Sequence, residues 1–300
     1  MDMRERIKDL KLKRNAIILA HNYCTPEVQD IADFVGDSLA LAIQASNTDA
    51  EVIVFCGVRF MAEGATILNP EKTVLMPEPE ALCPMASMCS SHQLDEFKKA
   101  YPQAAVVGYV NSTADSKTRM DICCTSANAV NVVDSVPERQ VIFVPDANLG
   151  AYVQTQCPDK DVILWEGYCP THQAITKTMI EKLLQIHPEA LVLMHPECRS
   201  EVLEMADYIG STAGILDYAS SSKFKEFIIG TEVGMLHPLS KANPDKIFYP
   251  VDAAVCPMMK MTDVESVLRC LDEMSGVVDL DETISSQAYG PLKKMLDVKR

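Results

Sequence analysis

Apolar and polar residues alternate along the chain in blocks. Continuous apolar runs at 16–20, 51–56 and 73–76, with a weaker one near 33–36, are separated by helical segments near 26–32, 38–47 and 58–68. A continuous apolar strand is buried on both faces, and short helices between such strands predict a parallel sheet covered by helices on both sides. The predicted unit is strand, helix, short strand, helix, strand, helix, strand.

This unit recurs three times. YPQAAVVGY at 101–109 matches HPEALVLMH at 187–195, and AIILAHNY from Ala16 is the N-terminal counterpart. The segments DFVGDS, DICCTS and DYIGST, starting at Asp33, Asp121 and Asp207, are spaced by 88 and 86 residues. NPEK, CPDK and NPDK, starting at 69, 157 and 243, keep the same spacing. Each is followed by an apolar run and a Cys-Pro step, at Cys83, Cys169 and Cys256. Solenoid and propeller repeats usually run to roughly 20–50 residues, so each of these longer copies reads as a small α/β domain. The expected organisation is repeat domain 1 at 1–86 with an N-terminal helix, repeat domain 2 at 87–172, repeat domain 3 at 173–261, and a helical tail at 262–300 that packs on the repeats and carries no chemistry. Ligands of open α/β sheets sit beyond the carboxyl ends of strands. Three related copies around a pseudo-threefold axis would turn equivalent loops toward one central site.

Composition narrows the function. The 300 residues are 48% hydrophobic and 23% charged, which suits a globular core and excludes collagen, coiled coil and disorder as whole-chain readings. Lys plus Arg is 27 against 42 Asp plus Glu, a net charge of −15. That balance argues against nucleic acid and against an anionic membrane surface as partners. A small anion held by backbone amides and a few side chains stays open. No apolar run is long enough to span a bilayer. The charged start MDMRERIKDLKLKRN lacks the apolar core of a secretory signal. Eleven cysteines, an odd number, point to a reducing cytoplasm with buried thiols, metal ligands or a reactive Cys.

The candidate chemistry lies at the equivalent strand ends. After the first strand the copies carry His21-Asn22-Tyr23, Tyr109-Val110-Asn111 and His195-Pro196-Glu197. The next matching turn carries Ser38, Ser126 and Thr212. Ser and Thr before helices usually act as caps, but hydroxyls at three equivalent helix starts around one cavity point to an anion site. Cys83, Cys169 and Cys256, one per copy, suit a metal or an iron–sulfur cluster. Cys56, Cys123, Cys124 and Cys270 read as small hydrophobes, whereas Cys24 and Cys198 share strand-end loops and compete as ligands. His92 and His187 read as surface or helix-end residues, and His237 has no assigned role. His21, His172 and His195 are placed to bind a carboxylate or phosphate or to move protons. Glu197 is the candidate general acid or base.

ILAHNY at 18–23, PEVQDIADFVGDS at 26–38, YVNSTA at 109–114, TSANAV at 125–130, MHPEC at 194–198, GST at 210–212 and GTEVGM at 230–235 resemble the quinolinate synthase family. The resemblance runs over nearly the whole chain. It implies three homologous three-layer α/β/α domains around a pseudo-threefold axis. It also implies a [4Fe–4S] cluster on Cys83, Cys169 and Cys256, whose open iron acts as a Lewis acid. The implied reaction joins iminoaspartate to dihydroxyacetone phosphate, giving quinolinate, phosphate and water in NAD biosynthesis. An aspartate oxidase or dehydrogenase would supply the imine. By resemblance, Glu197 is the main proton-transfer group, with Tyr23, Tyr109 and His195 also catalytic. His21, Ser38, Asn111 and Ser126 fall on the triose-phosphate side, and His172, His195, Ser211 and Thr212 on the dicarboxylate side. A C-x-x-C-x-x-C segment found near the C-terminus of some bacterial members is absent, so no regulatory disulfide is expected there. An aconitase-type iron–sulfur hydro-lyase is the alternative enzyme. A non-catalytic iron–sulfur or zinc-binding module is the alternative outside catalysis.

Overall fold

Val, Ile, Leu and Phe dominate the apolar runs, and in the computed structural model, which describes residues 2–298, those runs form twelve strands among the described residues. The first sheet holds β1 (Ala16–His21), β2 (Phe34–Gly36), β3 (Val52–Cys56) and β4 (Thr73–Leu75) in the order β2-β1-β3-β4. The second holds β5 (Ala105–Tyr109), β6 (Ile122–Cys124), β7 (Gln140–Val144) and β8 (Asp161–Leu164) in the order β6-β5-β7-β8. The third holds β9 (Leu191–Met194), β10 (Tyr208–Ile209), β11 (Glu226–Gly230) and β12 (Ile247–Pro250) in the order β10-β9-β11-β12. All neighbouring strands are parallel. In each sheet the chain leaves the first strand for one edge and then crosses to the other side. The crevice of an open α/β sheet therefore opens beside the carboxyl ends of the first and third strands.

The repeated sequence landmarks are structural fittings. The edge strands β2, β6 and β10 are short and leave the start of the adjacent strand beyond their reach. The Asp before each edge strand extends the pairing by one residue. Asp33, Asp121 and Asp207 accept from the amides of Ile18, Val106 and Val192, each at 2.8 Å. Their own amides return a bond to the same three residues at 2.9 Å. The NPEK-type landmark closes a helix. Asn69, Cys157 and Asn243 are the C-caps of Arg59–Leu68, Ala147–Gln156 and Leu236–Ala242. Lys72, Lys160 and Lys246 then donate to the carbonyls of Thr48, Val136 and Ala219.

One expectation fails in the second unit. Ser38 and Thr212 open the helices Ser38–Asn47 and Thr212–Ser221, behind the caps Asp37 and Ser211. Ser126 opens none, because the corresponding helix starts at Ala129. Asn128 Oδ1 accepts from the Thr125 amide at 2.8 Å and holds a turn there. The Asn128 amide donates to Met295 O and Val298 O at 3.2 and 3.1 Å, tying the turn to the tail. Ser126 is thus a turn residue rather than a helix-start hydroxyl.

The largest buried cluster draws residues from all three sheets, among them Leu19, Phe55, Val107, Phe143, Leu193 and Phe227. A second lies where the N-terminal helix Met3–Arg14 and the tail helix Val264–Glu273 cover the first sheet, through Ile7, Ile18, Val54, Val267 and Leu271. The last helix, Glu282–Asp297, buries Ala288, Leu292 and Met295. The tail helices pack against the N-terminal helix and the first two units. No helix among the described residues is long and apolar enough to cross a membrane.

The carboxylate beside each edge strand yields a prediction. Asp121→Ala or Asp207→Ala removes an acceptor and strands a sheet amide, at a cost of about 1–3 kcal/mol. Denaturant midpoints should fall by similar amounts in both variants, with no change in the slope of the transition.

Candidate active site

The carboxyl ends of β1, β5 and β9 carry His21, Tyr109 and the loop that starts at His195, and all three residues line one cavity. The cavity is also lined by Tyr23, Ser38, Cys83, Asn111, Ser126, Cys169, His172, Glu197, Thr212 and Cys256. Every candidate named from the sequence is therefore gathered here except Ser211. Ser211 caps the helix Thr212–Ser221 by accepting from the Gly214 amide, and it lines a neighbouring groove that Ser126 shares. Cys24 and Cys198, the competing cysteines, point elsewhere. Their thiols donate to Cys56 O and Gly230 O inside the sheets.

Glu197 is 2% exposed and has two partners. Tyr109 donates its hydroxyl to Oε1. His172 Nδ1 lies 2.7 Å from Oε2. Burial alone would raise the carboxyl's pKa, but the adjacent His172 ring and the hydrogen bonds from His172 and Tyr109 outweigh it and hold Glu197 below the usual carboxylate range. The chain of contacts continues beyond His172. Its Nε2 lies 2.9 Å from Thr231 Oγ1, which lies 2.6 Å from the Tyr23 hydroxyl. Tyr23, Thr231, His172, Glu197 and Tyr109 thus form one buried hydrogen-bonded line, and each internal member can pass a proton to the next. Burial pushes both tyrosines well above their ordinary pKa, so they stay protonated as donors.

His21 and His195 are kept neutral by burial too, with the shift in the opposite direction. Burial lowers the pKa of each to about 3. The Nδ1 atoms accept backbone amides two residues on, from Tyr23 at 3.2 Å and Glu197 at 3.4 Å. The remaining proton then sits on Nε2, and at His195 that nitrogen lies 3.2 Å from Ser126 Oγ. Both rings are fixed hydrogen-bond donors without charge. Asn111 lines the cavity with its Oδ1 buried and without a hydrogen-bond partner, an acceptor left for a bound molecule. None of the lining residues is Lys or Arg.

The three Cys-Pro steps share one local geometry. Proline fits the first position of a helical turn, and each Cys precedes such a turn: Met85–Met88, Pro170–Gln173 and Met258–Lys260. Backbone amides of each turn face the sulfur, from Met85 and Ala86 at Cys83, from His172 at Cys169, and from Met258 and Met259 at Cys256. All eleven cysteines are free thiols. Burial raises the pKa of the three cavity thiols, to about 12 at Cys83. With no cation lining the cavity, they become thiolates only when a metal takes the proton's place. Among the described residues, the group of His, Cys, Asp or Glu with all ligand atoms within 4.8 Å is Cys169, His172 and Glu197, not the three cysteines. The three sulfurs are not gathered within that distance, and soft thiol ligands from three loops of one cavity suit an iron–sulfur group.

Similarity settles the family. A family model described as quinolinate synthetase A protein matches residues 5–297. The chain belongs to the quinolinate synthase family. It is 53% identical over 293 residues to the quinolinate synthase of Thermodesulfovibrio yellowstonii, covering 97% of both chains. It is 55% identical to that of Methanosarcina barkeri, covering 98% of this chain and 97% of the relative. It is 54% identical to that of Dehalococcoides mccartyi, again covering 98% and 97%. Members of this family are enzymes of NAD biosynthesis, and the free, buried cysteines fit an iron–sulfur enzyme.

Several residues around the site escaped the sequence reading. Asp37, Val58, Phe60, Met85, Thr125, Thr171 and Met259 also line the cavity. Asp146 and Glu232, both fully buried, stand behind the cysteine loops at equivalent positions before the third helix of their units. Glu232 accepts from the Cys256 amide at 3.1 Å and pairs with Lys260 at 3.0 Å. Their repeat spacing was a usable signal. Thr231 lay inside a quoted motif, and its position at the carboxyl end of β11 marked it for attention.

The neutral histidines set a pH dependence. The unfolded chain takes up protons at these rings near pH 6.5, whereas the native chain resists until about 3. Protons therefore favour the unfolded chain, and stability falls as pH drops through that window, by about 1.4 kcal/mol per pH unit for each ring. Denaturation of the His21→Asn/His195→Asn double variant between pH 6 and 4 should show a shallower loss than the unaltered chain.

Proposed function

We propose that the chain condenses iminoaspartate with dihydroxyacetone phosphate to give quinolinate, with loss of phosphate and water, in the cytoplasm. The observation that carries this reading is the buried line through Glu197, which joins a carboxylate base to two tyrosine donors beside three free cysteines. An aspartate oxidase or dehydrogenase would supply the imine. Cys83, Cys169 and Cys256 would hold a [4Fe–4S] cluster, which supplies Lewis acidity toward the reacting nitrogen, carboxylate or hydroxyl when bound.

The residues supply binding and proton transfer. Ser38, Ser126 and the neutral His21 ring offer donors for the phosphate and hydroxyls of the triose, and the orphaned Asn111 Oδ1 accepts from a substrate donor. Thr212, His195 and His172 face the dicarboxylate. Asn22 Nδ2 donates to Thr212 Oγ1 at 2.9 Å and so fixes that hydroxyl across two units. Glu197, held as a carboxylate, removes a proton from a carbon beside a carbonyl or imine and returns it to a departing hydroxyl. Tyr109 and His172 flank it and can restore its charge state through the hydrogen-bonded line. A reactive imine must be kept from water, and the buried walls formed by Val58, Phe60, Met85 and Met259 serve that need.

Anaerobic reconstitution tests the reading. We expect about four irons and four sulfides per chain, and a sharp loss of both in Cys83→Ser, Cys169→Ser and Cys256→Ser. Glu197→Gln should lower quinolinate output by about 100-fold or more with the iron content intact. Full output from Glu197→Gln would remove the base assigned here. Ser126→Ala should raise KM for dihydroxyacetone phosphate more than it lowers kcat, whereas a hydro-lyase acting on an unphosphorylated hydroxy acid would ignore the change.

A further inference from the structure

We propose that the chain, when it lacks its cluster, binds a single divalent zinc-like ion at Cys169, His172 and Glu197, and that this ion blocks cluster loading. The inference stands on side-chain geometry and does not depend on the reaction proposed above. His172 Nδ1 lies 3.2 Å from Cys169 Sγ and 2.7 Å from Glu197 Oε2. All three ligand atoms lie within 4.8 Å of one another. Zinc bonds of about 2.3 Å to sulfur and about 2.0 Å to nitrogen or oxygen put tetrahedral ligand atoms roughly 3–4 Å apart. The side chains are close to that spacing without backbone movement.

The surroundings match what a bound ion needs. A metal-ligating histidine usually gives its other ring N–H to a partner, which orients it. Here His172 Nε2 has Thr231 Oγ1 at 2.9 Å. The Glu197 oxygen that faces away from His172 accepts from Tyr109, so the carboxylate is also fixed. On binding, the Cys169 thiol loses its proton to solvent, and His172 coordinates through Nδ1 as a neutral imidazole with its proton on Nε2, facing Thr231. One thiolate and one carboxylate then balance the dication, leaving the centre neutral in a cavity without Lys or Arg. The fourth position faces the cavity and stays open to water. A mixed sulfur, nitrogen and oxygen set with one open position suits zinc better than a hard cation. Occupancy removes Cys169 from the cysteine trio and covers Glu197.

Cobalt(II) serves as the visible stand-in for zinc. The full chain, purified without cluster, should bind one Co²⁺ with a thiolate-to-cobalt charge-transfer band, and Zn²⁺ should displace it. The band should vanish in Cys169→Ser and persist in the Cys83→Ser/Cys256→Ser double variant, which lacks two of the three cavity thiols. Thr231→Val should weaken Co²⁺ binding by about 10–100-fold while keeping the band. Chains loaded with Zn²⁺ first should then take up less iron and sulfide than metal-free chains. Survival of the band in Cys169→Ser, its loss in the double variant, or binding with no thiolate band would each overturn the assignment. If Cys169→Ser does not fold, the double variant and Thr231→Val still decide it, because a three-thiol site predicts the opposite result for both.

Discussion

The structure depends on how one buried negative charge is kept. Glu197 sits 2% exposed in a cavity lined by no Lys or Arg. An isolated carboxylate there would take up a proton rather than stay ionised. Tyr109 from the second sheet and His172 from the second Cys-Pro turn supply the two donors, and Thr231 and Tyr23 extend the line into the third and first units. A displaced sheet would break one link and leave a charge unpaired. The chemistry and the assembly of the three units are therefore one problem. The Gln29 amide, which bonds Asn22 O and Cys24 O in the first unit and Gly234 O in the third, holds the same junction from behind.

The repeat also explains why the copies diverged where they did. Asp33, Asp121 and Asp207 do the same job in three sheets, so sequence drift at any of them costs stability. The first strand ends carry His21, Tyr109 and His195, which do different jobs at one cavity. Cys24 and Cys198 bond backbone carbonyls beneath the loops, and Ser112 fills the matching place in the second unit by donating to Tyr109 O. Constant framework and varied tips are what one asymmetric ligand at a repeated scaffold requires.

The architecture was readable because strands, helices and landmark offsets are written in periodicity. The cavity residues were readable because equivalent strand ends can be counted. What stayed hidden has a physical reason. The late start of the helix at Ala129 comes from Asn128, whose amide reaches carbonyls 167 and 170 residues away. No local pattern reports such a contact. Asp146 and Glu232 are buried acids behind the cysteine loops; residue type alone reads every Asp and Glu as solvated surface, and only their 86-residue spacing sets these two apart. Ser211 was drawn in by a motif, yet its hydroxyl is spent on the Gly214 amide.

The lack of Lys and Arg in the lining has one more consequence. Recognition of anions by lysine and arginine fades as salt rises, because mobile ions screen charge over about 8–10 Å. Here, apart from Asp37 and Glu197, uncharged imidazoles and hydroxyls supply the polar lining of the cavity. Donors of this kind distinguish oxygen atoms by position rather than by charge, and their hydrogen bonds weaken less with added salt than the contacts of a basic cleft.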